Sequence, residues 1–326
     1  MKQIIITGGA GFIGFHLGRY HAERGDRVYL FDNFFKSSGK RDKEIDDLIR
    51  LENVSMFQVD LTMPIKNINI SGRVDIVYHL AAINGTRFFY EMPYEVCRNN
   101  LLMTIKLLDW LEDREIGRLF YSSSSEVYAG ADKFDLLKIP TDEHAPVIFP
   151  QPTDVRFSYG TSKFVGEFLC LYFGRKLNLP VSVVRYHNIY GPRMGFKHVI
   201  PEFALRLKKR ENPFKVFGGN ETRAFCYIDD AVKASHMVAT EQRCADEVVH
   251  IGNSGEETTI KDLAMLMMEI FGEKYELKEC GGRSGSVSRR CPDTSKLKEL
   301  TGFEAQVDLR EGVTRTMDWY LNNFKE

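Results

Sequence analysis

The N-terminal stretch Ile4-Ile5-Ile6-Thr7-Gly8-Gly9-Ala10-Gly11-Phe12-Ile13-Gly14 decides the fold. Its apolar, β-branched start predicts a buried parallel strand, and the glycines after it predict a tight turn that leads into a helix. Gly8, Gly11 and Gly14 have the spacing at which backbone N–H groups can approach a pyrophosphate without an intervening Cβ. The stretch therefore predicts a dinucleotide-binding site.

A second predicted strand, over residues 28–31, ends at Asp32. An acidic side chain at this place suits the ribose hydroxyls of an adenosine and repels a 2′-phosphate. Basic residues follow at Lys36, Lys40 and Arg41, and they would suit the additional phosphate of NADP. We expect NAD, because the carboxylate of Asp32 lies at the position that distinguishes the two cofactors.

The composition is that of an ordinary globular chain. It has 326 residues, of which 43% are hydrophobic, and its 44 Lys and Arg nearly balance its 45 Asp and Glu. This balance favours neither nucleic acid nor a membrane as a partner. The chain has no run of roughly 20 apolar residues and no room for a signal peptide before its first strand, so we expect a cytoplasmic protein. Its six cysteines lack C-x-x-C spacing, which predicts reduced thiols and no metal site.

Strand and helix signals alternate through the first half of the chain, which predicts a doubly wound parallel sheet, the α/β Rossmann fold. The less regular remainder predicts a smaller C-terminal lobe interwoven with the first domain. We assign residues 1–185 and about 222–253 to the NAD-binding domain, and about 186–221 and 254–326 to a substrate lobe. In this division, a strand over residues 224–228 and the helix after it return to the NAD-binding domain. A proline-rich loop over residues 129–157 is predicted to cover the substrate.

Two predicted helices have more apolar surface than one sheet can cover. They span residues 93–111 and the segment that begins near Tyr159, and each has apolar side chains on more than one face. Two such helices side by side can pair with a second copy of themselves across a twofold axis. We therefore expect a homodimer held by a four-helix bundle.

Tyr159 and Lys163 lie four residues apart, which places both side chains on one face of a helix. A neighbouring ammonium group and the positive nicotinamide ring would both favour phenolate over phenol. We therefore expect the pKa of Tyr159 to be lowered towards neutrality, so that this residue can exchange a proton with a sugar hydroxyl.

Taken together, these motifs resemble those of the NAD-dependent epimerase/dehydratase family of extended short-chain dehydrogenases/reductases, which act on nucleotide sugars. The resemblance covers essentially the whole chain and rests on the glycine-rich turn, the Tyr159/Lys163 pair and five further motifs. These are Asp60-Leu61, Leu80-Ala81-Ala82, Ser122-Ser123-Ser124, Asn188-Ile189-Tyr190-Gly191-Pro192-Arg193 and Arg223-Ala224-Phe225-Cys226-Tyr227-Ile228-Asp229-Asp230.

The resemblance implies sets of binding residues. For NAD it implies contacts with Gly8, Gly11, Phe12, Ile13, Gly14, Asp32, Asn33, Asp60, Leu61, Leu80, Ala81, Ala82, Asn99, Ser122, Tyr159 and Lys163. For a UDP-, GDP-, CDP- or dTDP-linked sugar it implies contacts with Asn84, Arg87, Ser124, Ser125, Glu126, Asn188, Lys197, Val199, Arg223 and Arg289. Arg283 and Arg290 belong to the same basic cluster as Arg289 and are further candidates for binding the diphosphate.

The resemblance also implies a catalytic cycle. Tyr159 removes a hydroxyl proton from the sugar while NAD accepts the hydride, and Ser124 hydrogen-bonds the reacting oxygen. The resulting 4-keto sugar has an acidified neighbouring C–H bond, which makes epimerisation, loss of water or decarboxylation accessible before the hydride returns.

Two likenesses point to different reactions. Ser124-Ser125-Glu126 is similar to a triplet of sugar 4,6-dehydratases and UDP-glucuronate decarboxylases, whereas simple 4-epimerases generally lack this glutamate. Residues 185–192 followed by Lys197 are similar to GDP-mannose 3,5-epimerase, where a lysine at this offset takes part in catalysis. Glu126 and Lys197 are therefore further catalytic candidates.

We expect an NAD-dependent nucleotide-sugar epimerase that acts through a transient 4-keto intermediate. A nucleotide-sugar 4,6-dehydratase or a UDP-glucuronate decarboxylase is the alternative. A dinucleotide- or RNA-binding protein without activity is more remote, because this chain keeps the Tyr159/Lys163 pair and has no basic face.

Overall fold

The protein is built around a seven-stranded parallel sheet in the computed structural model, which describes residues 1–149, 151–282 and 288–323. The strands are β1 (Gln3–Thr7), β2 (Arg27–Asp32), β3 (Val54–Gln58), β4 (Val74–His79), β5 (Ile116–Ser124), β6 (Val181–Tyr186), β7 (Ile189–Tyr190), β8 (Phe214–Phe217), β9 (Thr222–Ala224), β10 (Cys226–Tyr227), β11 (Glu247–Ile251), β12 (Glu257–Thr259), β13 (Leu277–Cys280) and β14 (Arg289–Arg290).

Helices cover both faces of this sheet. They are α1 (Phe12–Glu23), α2 (Lys43–Ile49), α3 (Thr86–Glu91), α4 (Pro93–Leu111), α5 (Ala129–Lys133), α6 (Ser158–Leu177), α7 (Val199–Lys208), α8 (Ile228–Thr240), α9 (Ile260–Phe271), α10 (Ser295–Thr301) and α11 (Leu309–Asn323). Within the described residues, every helix is too short or too polar to cross a membrane.

The strand order of the main sheet is β11-β6-β5-β4-β1-β2-β3. The chain leaves β1 in one direction and returns beyond it at β4, which is the doubly wound arrangement. The predicted fold class is therefore confirmed. In such sheets, ligands bind at the carboxyl ends of the strands where the order reverses, and here this point lies between β1 and β4.

Two apolar layers hold the helices against the sheet. On one face, Phe15 and Leu17 of α1 and Ala231 of α8 pack with Ile4 and Ile6 of β1. On the other face, α4 and α6 pack against the sheet and against each other; their buried members include Val96, Leu107, Leu111 and Cys170. The face of α4 and α6 that points away from the sheet carries exposed apolar side chains.

The prediction of one strand over residues 224–228 was wrong. The segment forms β9, which pairs antiparallel with β12, and β10, which pairs in parallel with β7. The break falls at Phe225, because the strands on its two sides hydrogen-bond to different partners. Neither strand joins the main sheet, whereas α8 packs against that sheet and β11 is its edge strand. The domain boundaries remain a prediction.

The predicted covering loop contains a short helix, α5, at its start and a 3₁₀ turn, Val155–Phe157, at its end. The loop backbone meets the C-terminal lobe where Thr141 forms a bridge with Pro292. The segment that connects β5 to α6 therefore contacts the chain near Pro292 on its way.

Candidate active site

A cleft of about 350 Å³ opens at the carboxyl ends of β1, β2 and β4. Its floor is the glycine-rich turn, where Gly8 has a φ of 70°, a left-handed conformation that favours glycine. A Cβ on Gly14 would lie 2.1 Å from the carbonyl oxygen of Gly8, so any larger residue would break the turn. The sequence forms this close turn because glycine occupies both positions.

Every residue predicted to bind the cofactor lines this cleft. The set comprises Gly8, Gly11, Phe12, Ile13, Gly14, Asp32, Asn33, Asp60, Leu61, Leu80, Ala81, Ala82, Asn99, Ser122, Tyr159 and Lys163. These residues come from the turn after β1, the ends of β2 to β5, and three helices, α1, α4 and α6. The fold thus brings distant segments of the chain to a single cleft.

Asp32 organises two turns at the edge of the cleft. One carboxylate oxygen accepts a hydrogen bond of 3.0 Å from the backbone N–H of Ala10, and the other accepts one of 2.8 Å from that of Phe34. The carboxylate is therefore fixed in place, and an anion next to it would meet a held negative charge. This geometry agrees with the expectation that the site prefers NAD to NADP.

Lys163 is buried beside Tyr159 on α6. Its Nζ donates a 2.6 Å hydrogen bond to the carbonyl oxygen of Ser122 and lies 6.0 Å from the ring centroid of Tyr159. Burial lowers the pKa of Lys163 to about 8, because the charged form loses its hydration.

The pKa of Tyr159 differs from the expectation. Burial raises the pKa above its ordinary value, the negative charge of Glu126 raises it further, and a hydrogen bond with Ser124 only partly opposes these effects. The predicted lowering of the Tyr159 pKa is therefore wrong when only the protein's own groups act on the phenol. The sequence did not reveal how deeply the phenol is buried. The ring of Tyr159 stacks on Phe89 with centroids 4.9 Å apart and planes only 11° from parallel.

Glu126 lies between two guanidinium groups. One carboxylate oxygen accepts a 2.8 Å hydrogen bond from Arg290, and the other is 2.6 Å from Nη2 of Arg156. All three side chains are at most 17% exposed. Burial alone would raise the pKa of Glu126, but the two positive charges outweigh it and lower the pKa to about 2. Glu126 is thus a fixed anion and a weak proton acceptor.

Three of the remaining predicted substrate residues, Ser125, Arg223 and Arg289, lie near this cluster. Asn84 lines the main cleft, while Ser125 and Arg289 line a smaller cavity that also contains Arg290. Nδ2 of Asn188 donates a 3.1 Å hydrogen bond to the backbone of the short strand β9.

Arg223 lies close enough to this basic group to be affected by it, because burial and then the charge of Arg290 lower its pKa. Its guanidinium also pairs with Glu221 at 3.0 Å. Val199 is the first residue of α7 and is half-buried.

Arg87 and Lys197 are the two predicted substrate residues with exposed side chains that line neither cavity. Arg87 is exposed on α3 and pairs with Glu91 on the same helix. Lys197 is exposed and is not among the residues that line the cleft. Their roles in binding the sugar remain predictions. Arg283 lies outside the described residues.

Sequence reasoning missed Phe89 and Arg156. Arg156 lies three residues before Tyr159, and side chains three residues apart are neighbours on a helical surface. This spacing could have pointed to Arg156. Phe89 carries no comparable signal, because an aromatic residue in a short helix is usually part of the core.

The sequence of residues 4–252 matches the model of the NAD dependent epimerase/dehydratase family. The chain belongs to this family. It is therefore an enzyme with NAD as its cofactor, and the predicted family, enzymatic nature and cofactor are confirmed. The site fits NAD, because the glycine turn leaves no room for a Cβ at Gly14 and Asp32 is held at the end of β2.

Known relatives of this family member have more than one activity. The chain is 31% identical over 330 residues to UDP-N-acetyl-alpha-D-glucosaminuronate decarboxylase of Bacillus cytotoxicus, with 98% of both chains covered. It is 28% identical to UDP-glucuronate 4-epimerase of Thermodesulfobacterium geofontis, covering 100% of this chain and 98% of the other. Its structure matches UDP-glucose 4-epimerase of Thermotoga maritima, solved with UDP-glucose, at a TM-score of 0.82 and 28% identity, covering 98% and 99% of the two chains.

Proposed function

We propose that this enzyme oxidises C4 of a UDP-linked hexuronic acid and releases the carboxyl group of the 4-keto intermediate as CO₂. The observation that carries the proposal is the position of Glu126 between Arg156 and Arg290. Relatives that act on UDP-linked uronic acids support the choice of substrate.

The ion pairs of Glu126 argue against routes that need a base at a neighbouring carbon. Loss of water and epimerisation next to the ketone both begin with removal of a C–H proton. Glu126 has a pKa of about 2, which makes it a poor base, and the side chain of Lys197 is exposed to solvent, which does not suit a base that must remove a proton from a bound sugar. Decarboxylation needs no such base, because a carboxylate two carbons from a ketone can leave as CO₂ and place its electron pair in an enolate.

The charge of the cluster favours an anionic sugar. Arg156 and Arg290 carry two positive charges and Glu126 one negative charge, which leaves the group with an excess of positive charge. A guanidinium has five N–H donors, so both arginines keep donors for a substrate carboxylate after binding Glu126. The held anion of Glu126 would also disfavour the substrate carboxylate more than neutral CO₂.

The chemistry at C4 belongs to Tyr159, Ser124 and Lys163. NAD, when bound, supplies the hydride acceptor and donor for this carbon. Tyr159 exchanges the proton of the C4 hydroxyl, and Ser124, which hydrogen-bonds Tyr159, also binds the C4 oxygen. Lys163 holds positive charge beside the phenol, at 6.0 Å from its ring centroid.

A UDP-sugar 4-epimerase is the second candidate. It needs only Tyr159 and Ser124 at C4, and both are present and buried or half-buried in the site. The sequence motifs favour epimerisation, whereas the ion pairs of Glu126 favour decarboxylation.

We further propose that two copies form a homodimer through α4 and α6. The outward faces of these helices expose Tyr94, Ile105, Val165, Phe168 and Tyr172. The α6 aromatics form a continuous row, in which the ring centroids of Phe168 and Tyr172 lie 5.6 Å apart.

The six cysteines are all free, which supports a reducing compartment such as the cytoplasm as the place of action.

Mass spectrometry and NMR in heavy water test the proposed reaction. The enzyme is incubated with UDP-glucuronate, UDP-N-acetylglucosaminuronate, UDP-glucose and UDP-N-acetylglucosamine. The expected product is a UDP-pentose that has lost CO₂ and gained deuterium at C5. A product of unchanged mass with inverted C4 would replace the proposal with 4-epimerisation.

Glu126→Gln separates the role of this residue from that of Tyr159. We expect the absorbance of reduced NAD to appear on addition of the uronate, while release of CO₂ slows and the 4-keto sugar accumulates. Ser125→Ala is a matched change at the preceding position. We expect it to slow the release of CO₂ less than Glu126→Gln does. Release of CO₂ at the wild-type rate in Glu126→Gln would contradict a role for this carboxylate.

A further inference from the structure

The loop between β2 and α2 (residues 33–42, the β2–α2 loop) extends across the mouth of the NAD cleft. Lys36 on this loop donates a hydrogen bond to the side chain of Asn84 on the opposite wall, and both residues line the cleft. The rings of Phe35 and Phe88 also approach across the mouth, with centroids 6.1 Å apart. The middle of the loop is therefore fastened to the far wall.

The end of the loop is fastened to the other lobe by Arg193. Its Nη1 and Nη2 each donate a 2.8 Å hydrogen bond to Asp42, the last residue of the loop. Nη1 also donates a 2.7 Å hydrogen bond to Glu44 in the first turn of α2. The side chain of Arg193 is only 8% exposed, whereas those of Asp42 and Glu44 are 53% and 39% exposed, so a buried guanidinium binds two carboxylates that water still reaches.

The surroundings of Arg193 hold its guanidinium in place. The group lies 4.1 Å from the ring centroid of Phe15, on the helix that follows the glycine-rich turn. Trp319 on α11 donates a 3.1 Å hydrogen bond to Glu44, which fixes the second carboxylate as well.

The backbone of Arg193 has a φ of 70°, a left-handed conformation that is uncommon for residues other than glycine. Such a conformation persists only where surrounding contacts determine it. Here those contacts are the ion pairs with α2 and the stacking on α1.

We propose that Arg193 is a positioning residue that holds the β2–α2 loop closed over the NAD cleft and thereby slows the release of NAD. It acts through Asp42 and Glu44 and is not among the residues that line the cleft. NAD is restored at the end of each catalytic cycle and can serve the next cycle if it stays bound. We call the contacts of Arg193 with Asp42 and Glu44 the latch, and slower release of NAD through this latch would favour repeated turnover. This inference rests on NAD as the cofactor and is independent of the sugar that is converted.

The rate of NAD dissociation tests the latch directly. The full-length enzyme is loaded with NAD and mixed with an excess of the fluorescent etheno analogue of NAD, whose binding reports the release of NAD. We expect Arg193→Met to release NAD between about 5-fold and 150-fold faster than wild type, the range of a typical coupling between two parts of a protein. Arg193→Lys keeps the positive charge but loses the planar guanidinium that binds both carboxylates. Its rate of NAD release should lie between those of wild type and Arg193→Met.

Arg206 is a matched control in the substrate lobe. Its Nε and Nη2 donate hydrogen bonds of 2.9 and 3.1 Å to Glu211, its guanidinium lies 4.2 Å from the ring centroid of Phe214, and its side chain is 13% exposed. Arg206→Met therefore removes a similar ion pair between a largely buried arginine and an exposed carboxylate, but one that does not contact the β2–α2 loop. We expect it to lower the melting temperature while NAD release stays near the wild-type rate.

Two results would overturn the inference. One is a wild-type rate of NAD release in Arg193→Met, and the other is an equal acceleration in Arg206→Met, which would show a general loss of stability. Should Arg193→Met fail to fold, Glu44→Gln gives the same test, because Glu44 contacts Arg193 from outside the cleft. We expect faster release in that variant too, and an unchanged rate there would equally contradict the latch.

Discussion

Arg290 donates a 2.8 Å hydrogen bond to Glu126 across a separation of 164 residues in the chain. The contact joins the end of β5 to the C-terminal lobe at the place where the sugar is proposed to bind. Arg156 completes the cluster from the 3₁₀ turn before α6. Three segments that are distant in sequence thus set the protonation state of one carboxylate.

The Glu126 cluster makes stability depend on pH in the acid range. Burial opposes the ionised form, but Arg290 and Arg156 lower the pKa of Glu126 from 4.5 to about 2. The stabilisation is complete above the unfolded pKa of 4.5 and is lost as the pH falls through about 2. At neutral pH, Glu126→Gln should lower the free energy of unfolding by about 3 kcal/mol, because two buried guanidinium groups lose their partner.

Denaturant unfolding of wild type and Glu126→Gln at a series of pH values checks this expectation. The difference between the two proteins should shrink steadily as the pH is lowered below 4.5. A difference that stays constant through the acid range would show that the ion pairs do not stabilise the fold.

The sequence predicted those parts of the site that depend on local pattern. The glycine-rich turn, Asp32 and the Tyr159/Lys163 pair all lie at the cleft, as predicted. They could be predicted because each is recognised from the spacing of residues that are close in sequence. The partners of Glu126 could not be predicted, since a pairing with Arg290 depends on how the second lobe folds back onto the first. The pKa of Tyr159 was mispredicted for a similar reason, because its burial depends on tertiary packing.

Tyr159→Phe tests the proton exchange at C4. The change removes only the phenolic oxygen, so the fold and the affinity for NAD should be retained. We expect turnover of the UDP-sugar to fall by about two to four orders of magnitude, the usual contribution of a general acid–base group. Turnover assays, together with melting curves and NAD titrations of the same preparation, check this, and near-normal turnover would exclude the proposed role.

The rate should decline on the alkaline side as Lys163 loses its proton. Burial lowers the pKa of Lys163 to about 8, so its charge is present below this pH and disappears above it. Since the charge favours the phenolate of Tyr159, kcat should fall as the pH rises through about 8. The pH profile of kcat measures this, and a flat profile through that range would contradict the assignment.

The free energy of unfolding should change in the opposite direction to kcat. It should rise between about pH 8 and pH 10.5, because the unfolded chain holds the proton of Lys163 more tightly than the folded chain does.

Phe168→Glu tests the proposed homodimer. Phe168 is 42% exposed on the outward face of α6, where a charge would have to be buried in a four-helix interface. Sedimentation should show a dimer for wild type and a monomer for the variant. Met265→Glu, on the outward face of α9, is a matched control because Met265 is 45% exposed, and it should leave the dimer intact. A monomeric wild type would contradict the proposal.

Phe89→Leu tests whether the stacked ring positions the catalytic tyrosine. The rings of Phe89 and Tyr159 are nearly parallel at 4.9 Å, and Phe89 is only 4% exposed, so its ring limits the movement of the phenol. Leucine fills much of the space but offers no flat surface. We expect kcat to fall by about 10- to 100-fold, the effect of a displacement near 1 Å, with little change in KM.

Two companion variants separate positioning from simple loss of packing. Phe89→Tyr restores a flat ring and should recover most of the turnover, even where its melting temperature matches that of Phe89→Leu. Tyr90→Leu changes the neighbouring position, whose side chain is 48% exposed, and should leave kcat at the wild-type level. If turnover followed the melting temperature across these variants and not the presence of a flat ring, Phe89 would be a structural residue alone.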